Sequence, residues 1–352
     1  MQAAKKNRVS LTALDGGLVR LAISPVGDVE QIHRQGFEAL SRLVKAAGSA
    51  VDLVSGASAE LPEPLSSGPA LAAMLPGTPQ TRAHDVQRIR AFSPAIRSGF
   101  RNLDMVLVSA TSAIESRSPR LVDEDFTGAA IDADTVELAC SYARRFERGS
   151  VQVVVGVSDD VYENETLQQL LEDCRERWPC IDIELLTATE AVAALMAGQT
   201  RLDVTATTSA ISRILFEVAG SLSGARPLIT HTTLHGESIR VQPEAATAVE
   251  ADDADFPMSS FTLAAAELLI WLGQTEAANR LLNGWCRALE LGLHSPEIRV
   301  THPYSRELDE DEFVDAVTEQ LGEQPQGLSP HCPAPKSDKT LKRHTANLRL
   351  VR

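Results

Sequence analysis

The chain has no Cys-x-x-Cys pair, no long apolar run, no Gly-x-Ser-x-Gly, no internal repeat and no excess of basic residues. A membrane-spanning helix needs roughly 18 or more mostly apolar residues, so its absence removes that class. The opening MQAAKKNRVSLTAL is too short in its apolar stretch to read as a secretory signal. Cys140, Cys174, Cys180, Cys286 and Cys332 are an odd number without zinc or redox spacing, and three of them fall in helical patterns, where a thiol is a small buried hydrophobe. A reducing cytoplasm is the expected compartment. With 33 Lys and Arg against 48 Asp and Glu, the formal charge of −15 disfavours nonspecific nucleic-acid or anionic-membrane binding, which selects cations. Ser24, Ser109 and Ser158 lie in no nucleophile motif, which removes a hydrolase.

What is present is an ordinary globular composition: 352 residues, 43% hydrophobic, enough for two domains or one large α/β unit. Short apolar runs alternate with segments of helical period, the pattern of parallel strands joined by crossover helices. Strands are expected at 19–23, 105–108, 151–157, 181–185, 202–207, 228–231 and 238–241. Helices are expected at 30–46, 133–148 and 165–178, the last stopped by Pro179. Beyond Pro257 the chain reads as helices at 259–272, 275–291 and about 311–321. Residues 55–80, rich in Ser, Pro and Gly, read as weakly structured. The tail beyond Gly322 reads as disordered and solvated, and from Pro325 on it carries six Lys and Arg against one Asp.

The segment RLDVTATTSAISRILFEVAGSLSG, residues 201–224, runs from a strand straight into a helix. It resembles the strand-to-helix metal motif of the β-decarboxylating dehydrogenases, the isocitrate/isopropylmalate dehydrogenase family, written D-V-x-x-T-x-N-x-F-G-D-I-L-S-D. PMSSFTLAAAELLIWLGQTEAANRLLNGWCRALELG, SPEIRV and DEDEFVDAVTEQL follow that family's later segments in order and spacing. The resemblance implies its α/β fold: two domains sharing a large mixed sheet flanked by helices. Residues 1–88 and 224–325 would form a discontinuous large domain, 89–223 a small domain with the dimer interface, and 326–352 a disordered basic tail.

The family's chemistry needs a divalent metal on carboxylates, a proton-transferring Lys and Tyr, and arginines for the substrate. By resemblance the metal positions are held here by Thr189, Arg213 and Glu217, so a three-carboxylate cage has become one hydroxyl, one cation and one acid. A guanidinium repels a dication, and no bound metal is expected. Val157 takes the Lys position, Ser116 the Tyr position, and Ser109 that of one substrate Arg. Each lost acid or base costs about 10²–10⁴ in rate, and the losses are not additive. By the same resemblance Arg90, in QRIRAF, takes the position of another substrate Arg and Arg82 stands near a further one, so these two are the candidate substrate-binding residues. With Arg97 and Arg213 they would suit a small carboxylate; solvated arginines are the plainer reading.

Where the family wraps a glycine-rich loop around the adenosine half of NAD, this chain has RVQPEAATAVEADDADFP, with five acidic residues and neither glycine nor histidine. No cofactor is expected. His235-Gly236 reads as a turn at a strand. Asp159-Asp160, Glu163-Asn164-Glu165 and 309–312 read as helix caps and dipole partners rather than ligands.

The resemblance therefore implies a non-catalytic relative: a regulatory or structural subunit, or a carboxylate-binding protein, as a homodimer or with an active paralogue. In the family each active site borrows the Lys and one Asp from the neighbouring subunit. A paired paralogue would inherit Val157 and Thr189, which favours an inhibitory subunit, a self-dimer or another interface. The alternative is an active NAD(P)- and Mg- or Mn-dependent decarboxylating dehydrogenase acting on isocitrate or 3-isopropylmalate.

Overall fold

The computed structural model of the chain describes residues 19–24, 31–55, 70–74, 83–100, 103–111, 131–198, 202–235, 238–247, 256–300 and 303–328. Its main strands are β1 Val19–Ser24, β2 Val51–Ser55, β3 Ala70–Met74, β4 His84–Arg90, β5 Asp104–Ala110, β6 Ser150–Val154, β7 Asp182–Leu186, β8 Val204–Thr207, β9 Thr230–His235 and β10 Ser238–Pro243. The α-helices are α1 Gln31–Ala46, α2 Ala133–Arg145, α3 Glu165–Arg177, α4 Ala188–Met196, α5 Ser209–Ser223, α6 Met258–Trp271, α7 Thr275–Glu290 and α8 Glu310–Glu319. The ten strands make one sheet in the order β2-β1-β3-β10-β9-β4-β5-β8-β6-β7. Both ends of the sheet are parallel (β1 with β2; β5, β8, β6 and β7 in turn), and the strands between them pair antiparallel. The fold is the mixed α/β sheet flanked by helices that the motif order implies.

Successive strand residues face opposite sides of a sheet, and here each side has its own core. Val106 and Val108 of β5 join the larger core, with residues of α1, α2, α6, α7 and α8. Met105 and Leu107 point the other way, into a second core with Ala188, Ala191 and Leu195 of α4 and Ile211, Leu215 and Ala219 of α5. Those α5 residues recur every four positions, which puts them on one stripe against the sheet. Every residue of α6 is buried, because the helix lies between the sheet and other helices. Burying one Leu or Ile stabilises by about 1.5–3 kcal/mol, so both faces hold the sheet.

Caps fix the helix starts. Thr208 accepts from the Ile211 amide at α5, Thr187 and Glu190 form a reciprocal capping box at α4, and Asn164 and Asp309 cap α3 and α8. The cap reading of Asn164 and Asp309 is what the structure contains. The C-terminus of α5 ends on Gly224 at φ +65, where a Cβ would lie 1.9 Å from the Arg97 carbonyl oxygen.

Three expectations need correction. The stretch 55–80 includes strand β3, whose residues Ala70, Leu71, Ala72 and Ala73 are all buried between β1 and β10. A strand also forms at β4, which carries charges on both faces and so hides its alternation. The tail is held further than expected, since the backbone amides of Gln326, Gly327 and Leu328 donate to the Glu290 carboxylate at 2.9, 2.6 and 2.8 Å and Leu328 is buried. Residues 329–352, including Cys332, lie outside the described residues.

Candidate functional site

In open α/β sheets ligands collect beyond the carboxyl ends of the parallel strands. That end is formed here by Ser109 and Ala110 of β5, Thr207 of β8, Val154 of β6 and Leu186 of β7. Val157 follows β6, Thr189 opens α4 and Arg213 lies in the second turn of α5, so these three and Ser109 belong to that end of the sheet, while Glu217, one turn further along α5, lies toward the other end, beside Arg226. Val157 is 47% exposed, and its carbonyl oxygen accepts from the Thr189 hydroxyl at 3.2 Å. Ser116 and Arg82 lie outside the described residues.

Arg90 and Arg97 are elsewhere. β4 runs antiparallel to β5, so Arg90 is in register with Asp104 at the start of β5. It shares the face of Val86 rather than that of α5, and its guanidinium lies over Phe92. Arg97 lies beside Gly224, eleven residues or about 16 Å along α5 from Arg213. Arg90, Arg97 and Arg213 do not converge.

Glu217 is engaged. Arg226, in the turn after α5, donates from Nη1 to Oε2 at 2.7 Å and from Nη2 to Oε1 at 2.9 Å. Its Nε donates to Glu244 Oε1 at 3.2 Å, and Glu244 Oε2 lies 2.7 Å from His231 Nε2. Burial alone would raise the Glu244 carboxyl, but His231 and Arg226 bring it below its usual value. With Nε2 donating to Glu244, His231 Nδ1 accepts from Gln87 Nε2 at 3.3 Å. The His231 ring also packs on Phe216, and Arg226 lies over the same ring. The chain of alternating charge thus pins α5 to β9 and to the turn after β10.

The resident metal of the resembled family does not fit these residues. Arg213 is a cation, both Glu217 oxygens are taken by Arg226, and the Thr189 hydroxyl donates to Val157. Divalent ions need hard anionic or neutral oxygens. Among the described residues no group of three His, Cys, Asp or Glu side chains is placed to hold a metal ion. Of the segment aligned with the cofactor loop, residues 248–255 lie outside the described residues. His235 pairs with Ser238 across the β9–β10 hairpin, in keeping with a turn.

Sequence reasoning missed Asp85, His231, Arg226 and Glu244. Asp85 accepts from the Thr233 hydroxyl at 2.9 Å, and burial pushes its carboxyl above the usual value against that bond and the fields of His231 and His84. A second charged cluster lies at the opposite end of the sheet. Arg148 joins Asp104 at 2.8 Å and Asp203 at 2.6 Å, while buried Arg88 reaches Glu267 of α6 at 3.3 Å. Among the described residues no helix is long and apolar enough to cross a membrane.

No protein-family model matches the chain. It is 23% identical over 204 residues to the isocitrate dehydrogenase [NADP] of Rickettsia felis, covering 58% of this chain and 41% of that protein. It is 22% identical over 249 residues to that of Rickettsia typhi, covering 68% and 51%. The chain thus spans about half, or less, of the length of these curated relatives. The crystal structure of isocitrate dehydrogenase from Methylococcus capsulatus superposes with a TM-score of 0.57 at 18% identity, over 82% of this chain and 96% of that one. The TT0538 protein from Thermus thermophilus gives 0.60 at 16%, over 93% and 74%. Sequence, at low identity, and architecture agree: the chain is a distant relative of the isocitrate/isopropylmalate dehydrogenases and has their fold.

Proposed function

We propose that the chain is a non-catalytic member of this lineage, acting as a regulatory or structural subunit. The observation that carries the reading is the clamp of Arg226 on Glu217 beside Arg213. The acid left among the positions that hold metal in the resembled motif is neutralised, and its neighbour is a cation. The proton-carrier position holds Val157, which transfers no proton. A carboxylate-binding role would lean on Arg90 and Arg82, and Arg90 lies on the other face of the sheet, so the subunit role is the better supported form.

The subunit works as a homodimer or with an active paralogue. Exposed Met196 on α4 (67%) and Ile214 on α5 (38%) support an interface on these packed helices. The second reading, an active NAD(P)- and Mg-dependent dehydrogenase, draws on the activity named for the Rickettsia relatives. Isothermal titration with Mg²⁺, Mn²⁺ and NADP separates the two. The subunit reading expects no saturable heat from either metal or cofactor; saturable binding of both favours the enzyme. Light scattering on the purified chain is expected to give a dimer mass.

A further inference from the structure

Among the described residues β7 is the last strand of the sheet, paired on one side with β6. In a parallel ladder a residue turns both backbone groups to the same neighbour, and the next residue turns them the other way. The Asp182 amide donates to the Gly149 carbonyl at 3.1 Å and the Val155 amide donates to the Leu186 carbonyl at 3.2 Å, so Asp182, Glu184 and Leu186 turn inward to β6. Ile183 and Leu185 therefore turn their N–H and C=O groups outward. Their side chains join the larger core with Leu171 and Cys174 of α3, which fixes how the strand lies. An edge of this kind is a template for a further strand.

The template is largely closed. Arg175 of α3 donates to the outward Ile183 carbonyl from Nε at 3.2 Å and from Nη2 at 2.9 Å, so its guanidinium occupies the acceptor that an added strand would use. At the two ends of β7 the next outward amides are also taken: Ile181 donates to the Trp178 carbonyl at 3.0 Å and Thr187 to Glu190 Oε2 at 2.8 Å. Pairing with a second β7 about a two-fold axis is thereby confined to one antiparallel register, Ile183 opposite Leu185 of the other copy and Leu185 opposite its Ile183. Half-buried Glu184 then stands opposite Glu184 of the other copy, in the non-hydrogen-bonded pair where side chains come closest. Like charges directly opposite one another destabilise a strand pair.

We propose that Arg175 and Glu184 together close the β7 edge against a second copy of this chain. Arg175 covers the carbonyl that a new strand must use, and Glu184 repels its own image in the register that remains. The contact is a device against edge-to-edge growth of the sheet, and it leaves assembly to other faces of the molecule. It goes beyond the subunit reading and does not depend on it, since the edge is closed in the same way whether the chain works alone, as a dimer or as an enzyme.

The test is light scattering on the full chain carrying Arg175→Met, which keeps the length of the side chain and removes its donors, and on the double variant Arg175→Met/Glu184→Lys. Each alone sets like charges opposite and is expected to keep the wild-type mass; an equal mixture sets unlike charges opposite and is expected to reach about twice that mass or more. Mixing wild type with Glu184→Lys, where Arg175 is retained, is expected to change nothing. No rise in the mixture of Arg175→Met variants, the same rise with Arg175 retained, or a rise in the separate variants equal to that in the mixture overturns the proposal. Hydrogen exchange on the unaltered chain decides it even should Arg175→Met misfold. The outward Leu185 amide is expected to exchange about tenfold or more faster than the inward amides of Glu184 and Leu186. Equal protection of all three means that the edge is already covered and overturns the proposal. A monomeric mass for the wild type would instead count against the dimer expected of the subunit and leave the edge result standing.

Discussion

Arg226 holds the Glu217 carboxylate with both terminal nitrogens, at 2.7 and 2.9 Å, from a position nine residues further along the chain. The contact exists because Gly224 turns the chain back at the end of α5 and the following 3-10 turn, Arg226–Leu228, lies alongside the helix. The pair is about half exposed, at 44% and 60%, so its worth to folding is small, about 0.2–1 kcal/mol. Its consequence is chemical: it occupies the carboxylate next to Arg213.

That occupancy is reversible by substitution. Arg213→Asp alone leaves Glu217 clamped, and Mn²⁺ titration should stay flat. Combining Arg213→Asp with Arg226→Ala frees two carboxylates one turn apart on α5. Weak Mn²⁺ binding, with a dissociation constant on the order of a millimolar, is the expected result, read by calorimetry. Equal behaviour of the single and double variants would contradict the role given to Arg226.

Asp104 sets an acid limit on stability. Burial alone would raise its carboxyl, but Arg88, Arg148 and Arg90 hold it below the ordinary value. A folded-state value below the unfolded one stabilises the fold above the ordinary carboxylate range, and the contribution is lost as pH falls through the lowered value. Asp104→Asn should lower the melting temperature at pH 7 and flatten its decline on acidification. A variant whose melting temperature falls in parallel with the wild type at every pH would refute this.

Glu297 has the opposite sign. Its Oε1 accepts from the Ser260 amide at 3.0 Å at the start of α6, yet burial pushes its carboxyl above the usual value. The favourable contribution is complete below the unfolded value and is lost as pH rises through the folded one. Glu297→Gln keeps an acceptor and removes the charge. Its stability relative to wild type should improve from pH 4 to pH 8, by denaturant titration; a pH-independent difference would count against the assignment.

Gly224→Ala is expected to destabilise by roughly 1–3 kcal/mol, from the left-handed φ and the contact with the Arg97 carbonyl. Thermal unfolding checks it, with Gly273→Ala as comparison: Gly273 shares a positive φ but has open space around its missing Cβ. A smaller loss at Gly224 than at Gly273 would rule out the close approach.

The readable parts of the sequence were those where one residue type meets one environment. MVLV in β5 alternates between two apolar cores, Val151 and Val153 of β6 face one and Val154 the other, and Ile211, Leu215 and Ala219 keep a single stripe on α5. β4 was hidden because HDVQRIR sends polar groups to both faces: Arg88 to Glu267 on one side, Asp85 and Gln87 to Thr233 and His231 on the other. The clamp was hidden for a related reason. Glu217, Arg226, Glu244 and His231 are joined across a helix end and a hairpin, at separations that no local period encodes. The motif order pointed to the fold, and only the assembled turns reveal which charges are already spent on one another.

The most direct test of the central claim is NAD⁺ or NADP⁺ reduction by the purified chain with isocitrate and with 3-isopropylmalate, in Mg²⁺ or Mn²⁺, followed by absorbance. A non-catalytic subunit gives a rate equal to the protein-free blank, unchanged by chelator. Turnover that rises with enzyme concentration and vanishes on chelation would contradict it.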